Sequence, residues 1–217
     1  MKLIVYFTES HAQMFNDYFR PSLRKSDNWD LIVGKGKQHS VNGNYFSKRF
    51  GDTVREKMAF LLHCLKGMEE GEISMFSDVD IVFLGEFRDY LESYTQFDMA
   101  FQHGGCSLNS GFFMIKNSPT TRRLIAGVVK NCHVCGHDQP VLNALIKNLN
   151  LKLTVFDSRV CSPSDFIFPR LWKGEVLNLR DDALVFHANW CAGVKNKIKL
   201  LDSIKDNFAQ KKLVDNV

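Results

Sequence analysis

Apolar residues follow two rhythms along this chain, and the rhythms alternate. KLIVYFT (Lys2 to Thr8) is a short continuous apolar run, as a strand buried in a parallel sheet would be, and HAQMFNDYFRPSL after it predicts a helix. WDLIVGKG predicts a second strand closed by glycines, with a Gly- and Asn-rich loop from Gly34 to Asn44 behind it. TVREKMAFLLHCLKGMEEG places Met58, Leu61, Leu62 and Leu65 at helical spacing and predicts a helix stopped by Gly71. EISMFSDVDIVFLG predicts a strand running into Asp78 and Asp80. FDMAFQHG and NSGFFMIKNS alternate as strands, PTTRRLIAGVVKNC and HDQPVLNALIKNL begin as proline-entered helices, and LKLTVFD and ALVFHANW predict two further strands. Strands alternating with helices, then a more mixed second half, predict an α/β sandwich with a central, mostly parallel mixed sheet. No repeat, low-complexity tract or linker divides the chain, so residues 1–217 are expected to form a single domain.

Composition narrows this picture modestly. A hydrophobic content of 45% with 24% charged residues is that of a globular protein, and 18 Phe predict an aromatic-rich core. The formal charge of +4 is too mild to identify a nucleic-acid binder and suits a polyanionic small ligand such as a nucleotide. Much of the basic excess lies in VKNKIKLLDSIKDNFAQKK, where Ile198, Leu201, Ile204 and Phe208 recur at helical spacing. A helix docked on its own domain is expected there rather than one lying on a membrane. Cys132 and Cys135 (CHVC) have metal-like spacing, but no second pair stands at a matching interval, so reduced thiols are expected. No run approaches the ~18 apolar residues of a membrane span, and the apolar N-terminal stretch is too short for a signal peptide. These features together predict a cytoplasmic protein.

The candidate chemistry starts at Asp78 and Asp80. Like charges so close repel, and ligands of open α/β sheets bind beyond the carboxyl ends of strands, which is where this pair falls. Two carboxylates with little else suit a hard cation, Mg2+ or Mn2+, that leaves room for water or a diphosphate. A cation bridging carboxylates to a diphosphate also stabilises it as a leaving group. By itself D-x-D is equally a solvated strand end. Three further motifs follow it in order: NSGFFMIKN from Asn109, HDQPVLN from His137 and HANWCAGVK from His187.

That ordered set resembles the metal-dependent glycosyltransferases of the GT-A fold, in particular the retaining branch related to glycogenin and the galactosyltransferases. The resemblance implies a Rossmann-like sandwich whose nucleotide-binding half covers about 1–85 and whose acceptor half covers about 86–217. It implies a nucleotide-sugar donor, a UDP-sugar in kind, and a glycan or glycoprotein acceptor. Asp78 would contact donor ribose or metal, Asp80 and His187 would complete the metal set, and Asn109, Ser110 and Gly111 would shape the sugar pocket. Asp138 and Gln139 would face the transferred sugar, and Lys195 would contact the diphosphate. Phe7, Thr8 and Glu9 would meet the base and ribose, and Lys57 the base or a phosphate. Taken singly, several have plainer readings: His187 as a core histidine, Asp138 as a helix N-cap, Lys57 and Lys195 as surface lysines. The last motif departs from the family's usual His, Gly, Lys, Pro, Trp run, which bears most on Lys195. Such a chain is similar to compact transferases of microbes or large DNA viruses such as the chlorella viruses. Two other classes share part of the pattern: a nucleotide-sugar or glycan-binding module without turnover, and the aspartate-nucleophile phosphatases, whose D-x-D stands nearer the start of the domain.

Overall fold

In a computed structural model of the protein, residues 1–40 and 49–214 are described, without the side chains of 133–135 and 209–214. The strands are β1 (Lys2–Phe7), β2 (Asp30–Lys35), β3 (Ile73–Ser77), β4 (Ile81–Phe83), β5 (Met99–His103), β6 (Leu108–Lys116), β7 (Leu153–Val155), β8 (Val160–Cys161) and β9 (Val185–His187). The α-helices are α1 (Ala12–Met14), α2 (Arg20–Ser22), α3 (Phe50–Lys66), α4 (Arg88–Glu92), α5 (Pro119–Cys135), α6 (Asp138–Ile146), α7 (Ser164–Ile167) and α8 (Val194–Val214).

Six strands form the central sheet in the order β2-β1-β3-β6-β5-β7, and β4, β9 and β8 form a smaller one. In the central sheet β1 runs parallel to β2 and β3, and β5 to β7, while β6 is antiparallel to both β3 and β5. Side-chain alternation sorts the core into two layers. Leu3, Val5, Met75, Phe112 and Met114 face the small sheet and α8, whereas Ile4, Phe76, Phe113 and Ile115 face α3, α5 and α6. The aromatic core expected from composition is there: Phe83, Phe87, Phe112 and Phe156 make a run of ring contacts in the first layer.

Local detail refines the sequence reading in four places. The helix expected from HAQMFNDYFRPSL is present, continuous over residues 9–22, but its winding changes along the way, with a π segment over Phe15–Phe19 between α1 and α2. The wider π turn brings Phe15, Tyr18 and Phe19 onto the core together. Helix α3 ends one glycine early, at Gly67, whose N–H caps the carbonyls of His63 and Cys64. Gly71 (φ 87) instead supplies the left-handed turn into β3, its N–H held by the Asn117 carbonyl at 2.8 Å. Finally, EISMFSDVDIVFLG is two strands in two sheets, and Asp78 to Asp80 form the crossing between them. Of the loop expected from Gly34 to Asn44, Gly34 and Lys35 belong to β2, and 41–44 lie outside the described residues. The helix entries hold: Pro119 opens α5 behind a Ser118–Thr121 capping box, and the basic C-terminal stretch is α8, with Leu201 and Ile204 buried in the first core layer. Among the described residues no helix is long and apolar enough to cross a membrane, and Cys64, Cys106, Cys132, Cys161 and Cys191 are free.

Candidate active site

Topology, not chain proximity, assembles the site. Strands β1 and β3 are parallel, so their carboxyl ends emerge side by side, carrying Thr8 and Asp78 to one edge. Because β6 runs antiparallel to β3, its amino end reaches the same edge: Ser77 pairs with Phe112, and the Asp78 N–H donates to the Gly111 carbonyl at 2.6 Å. Pairing of β4 with β9 puts Ile81 opposite His187, and the Ala188 N–H donates to the Asp80 carbonyl at 2.8 Å. Ligand atoms of Asp78, Asp80 and His187 thus converge to within 4.8 Å of one another.

Gly111 is required by this convergence. A Cβ there would lie 2.4 Å from Asp78 Oδ2 and 3.0 Å from His187 Cε1, so any side chain would displace the cluster. The Gly111 N–H donates to Asn109 Oδ1 at 2.6 Å, and the Ser110 N–H to Gln139 Oε1 at 3.3 Å, which fixes the first residues of β6. The Gln139 Nε2 donates in turn to Ser107 Oγ at 2.9 Å.

The charges are interleaved. Buried Lys57, from α3, bridges Asp78 Oδ1 at 3.1 Å and Asp138 Oδ2 at 2.8 Å, and Lys197, from α8, contacts Asp80 Oδ2 at 2.5 Å. Burial would raise the Asp80 carboxyl, but the charge of Lys197 is the chief opposing cause, and the group is held well below the ordinary carboxylate range. Asp78 goes the other way: burial raises it, Asp80 adds to the rise, and Lys57 only partly opposes them. Burial would also lower both lysines, yet Asp138 and Asp78 keep Lys57 charged, and Asp80 keeps Lys197 so. Three carboxyl groups thus meet two lysine ammonium groups at this edge of the sheet.

His187 is oriented by a residue the sequence did not flag. Gln102 is fully buried, and its Nε2 donates to the Cys161 carbonyl at 3.1 Å, which orients the amide so that Oε1 points at His187. The His187 Nδ1 to Gln102 Oε1 distance is 2.7 Å, and an amide oxygen only accepts, so Nδ1 carries the proton. In the neutral ring the Nε2 lone pair then faces Asp80 Oδ1 at 3.3 Å. Two acceptors at that distance call for a positive charge between or beside them, and orientation of a ligating imidazole through its other nitrogen is how metal sites are commonly supported. The donor set of carboxylate, carboxylate and imidazole fits Mn2+ or Mg2+.

The remaining predicted residues divide. Asp138 is not the N-cap, which is His137, but the first residue of α6, with Oδ1 accepting from the Gln139 N–H at 2.9 Å. Thr8 is buried at the end of β1. Phe7 is turned into the core, its ring stacked on Phe15 at 4.6 Å, because it shares a face of β1 with Leu3 and Val5. Glu9 is exposed and paired with Lys35 at 2.6 Å. Lys195 is exposed in the first turn of α8, and the lysine brought to Asp80 is Lys197, two residues on. Gln102 had a signal in the sequence, a lone amide inside the apolar strand FDMAFQHG. Lys197 had none to separate it from its neighbours.

His11 also lies within the field of the cluster. Burial, reinforced by Lys197, pulls its pKa down from 6.5 to about 4, so the folded protein keeps the ring neutral. The unfolded chain therefore takes up this proton first as pH falls, and the stabilisation, complete above about 6.5, is lost as pH drops through about 4. Urea unfolding between pH 7 and pH 4 is expected to show up to about 3 kcal/mol of acid-side loss attributable to this ring. The loss should be smaller in His11→Gln, and equal acid slopes in the two proteins would refute it.

Comparison with known proteins places this arrangement. The chain belongs to the nucleotide-diphospho-sugar transferase family, whose model matches residues 19–201. Its fold is that of the GT-A glycosyltransferases. A glycosyltransferase involved in glycosylation of the major capsid of the chlorella virus PBCV-1 superposes with a TM-score of 0.61 at 9% identity, over 93% of this chain and 98% of that one. The galactosyltransferase LgtC, solved with donor and acceptor sugar analogues, gives 0.51 at 11% identity, over 94% and 96%. GlyE of Streptococcus pneumoniae TIGR4 gives 0.53 at 12% identity, over 97% of this chain and 63% of that one. A comparison with curated proteins gives no match.

Proposed function

We propose that this transferase moves a sugar from a UDP-sugar to a hydroxyl of a glycan or glycoprotein, with Mn2+ or Mg2+ and with retention of anomeric configuration, in the cytoplasm. The convergence of Asp78, Asp80 and His187 within 4.8 Å at the carboxyl edge of β1 and β3 carries this reading. A divalent ion held by these three side chains would supply Lewis-acid neutralisation of the departing diphosphate.

The chain's own residues do the rest. Gln102 keeps the His187 proton on Nδ1 and so leaves Nε2 as the ligating atom. Lys197, on Asp80, adds positive charge for the outgoing phosphates, with Lys195 more exposed on the same helix. Asn109, Ser110 and Gly111 offer a close backbone approach to the sugar, Thr8 and Glu9 border the nucleoside side, and Gln139 faces the transferred ring. In the transfer the acceptor oxygen bonds to the anomeric carbon as the bond from that carbon to the diphosphate oxygen breaks. The acceptor's proton passes to the diphosphate. Asp138 is poorly suited to be a covalent nucleophile, since Lys57 and the Gln139 N–H already occupy its two oxygens and it is buried. That supports same-face attack, in which no protein base is needed.

Thermal unfolding with UDP and a panel of UDP-sugars, with and without Mn2+, tests the reading. A donor at about 100 times its Kd should add about 2.7 kcal/mol, several degrees in Tm for a chain of this size, and only when Mn2+ is present. Absence of any Mn2+-dependent shift together with absence of UDP release would overturn it.

A further inference from the structure

An aromatic shelf adjoins the site and serves none of the contacts above. In α7 and the segment after it, Phe166 is 41% exposed, Phe168 45% and Leu171 42%. The Phe168 ring meets that of Trp190 nearly edge-on, with centroids 5.1 Å apart and planes at 75°. Trp190 stands three residues beyond His187 with φ 50, a left-handed conformation unusual for a bulky side chain, and the Trp172 N–H holds its carbonyl at 2.8 Å.

Close backbone passage ties the shelf to the site. Gly105 (φ 83) lies flush against both rings: a Cβ there would be 2.7 Å from Phe168 and 3.1 Å from Trp190. Its neighbour Gly104 lies against Gln139, whose Nε2 would be 3.4 Å from a Cβ at that position. Gln139 in turn holds Ser110, next to Gly111 and the acidic cluster. Exposed Phe168 and half-buried Trp190 are thus two glycines away from the residue proposed to face the transferred sugar. Exposed Asp165, Arg170 and Lys173 interrupt the apolar residues, so the patch is a narrow shelf with a polar rim rather than a broad apolar face.

We infer that Phe168 and Trp190 form the platform for the acceptor, a pyranose whose C–H face lies on the rings while its rim hydroxyls reach toward Gln139. Aromatic faces are electron-rich and sugar C–H groups slightly positive, so the two surfaces match in charge as well as in shape. The identity of the ligand as an acceptor rests on the proposed transfer, whereas saccharide binding at the shelf is measurable without it.

Two readouts separate the claims. Titration of the whole protein with methyl glycosides of glucose, galactose and xylose should quench tryptophan fluorescence saturably, and Trp190→Phe should abolish the quench. In transfer assays with the same glycosides, Phe168→Ala and Phe168→Leu should raise the glycoside KM about tenfold or more while the KM for the UDP-sugar holds, and Phe168→Tyr should restore it. If no glycoside quenches the wild-type protein saturably, or if the KM for the UDP-sugar rises as much as that for the glycoside, the shelf is not an acceptor platform. Saturable quenching without UDP release from any donor would uphold the saccharide site and sink the transferase reading instead.

Discussion

Asp80→Asn is expected to lower sugar transfer by about 10^3-fold or more at saturating donor, and to weaken Mn2+ binding in parallel. The side chain keeps its shape and the Asp80 carbonyl keeps its bond from the Ala188 N–H, so the crossing between β3 and β4 stays in place. What disappears is the charge facing His187 Nε2 at 3.3 Å and Lys197 at 2.5 Å. Losing several kcal/mol of charge stabilisation on the leaving group, at about 1.4 kcal/mol per decade, gives the stated magnitude. Mn2+ titration by electron paramagnetic resonance, beside kcat/KM over a range of Mn2+, checks both halves. Full activity in excess Mn2+ would remove Asp80 from the metal set.

Lys57→Met should be the most destabilising single change at the site, costing about 3–5 kcal/mol. The ammonium is buried and lies between Asp78 and Asp138 at 3.1 and 2.8 Å, and its removal leaves one half-buried and one buried carboxylate without their shared counter-ion. Because the attraction of both carboxylates outweighs burial in keeping Lys57 charged, the penalty comes from the acids left behind rather than from the lost lysine. The double variant Lys57→Met with Asp138→Asn should therefore recover part of the loss, a coupling that independent sites would not show. Urea midpoints of the two singles and the double decide it: simple additivity, or a Lys57→Met midpoint equal to wild type, would show that the bridge holds nothing.

The two variants also separate the layers of the site. Asp80 lies in the cluster proposed to hold the metal, so its loss is read mainly in activity. Lys57 reaches the cluster from α3 on the far side of the sheet, so its loss is read first in stability. Gln102 belongs with Lys57 in this respect, since it acts on His187 through a hydrogen bond behind the ring.

The apolar rhythm alone determined the order of most strands and helices, because burial on one or both faces leaves a period that any stretch of chain must carry. It also placed Asp78 and Asp80 at a strand end, and the family resemblance carried by the ordered motifs marked Asn109 to Gly111, Asp138, Gln139 and His187 as candidates. Pairing partners leave no such trace. That one predicted strand would split between two sheets at Asp78 to Asp80, and that β9 would lie against β4 and carry His187 onto the pair, followed only from long-range register. The same holds for charge: among the several lysines of the C-terminal stretch, Lys197 rather than Lys195 meets Asp80 because of how α8 is rotated on the core, and helical periodicity in a basic stretch fixes that rotation only to within neighbouring positions. Residue type and period are local properties of the chain, whereas a coordination set is a meeting of distant segments, and only the packed structure brings them together.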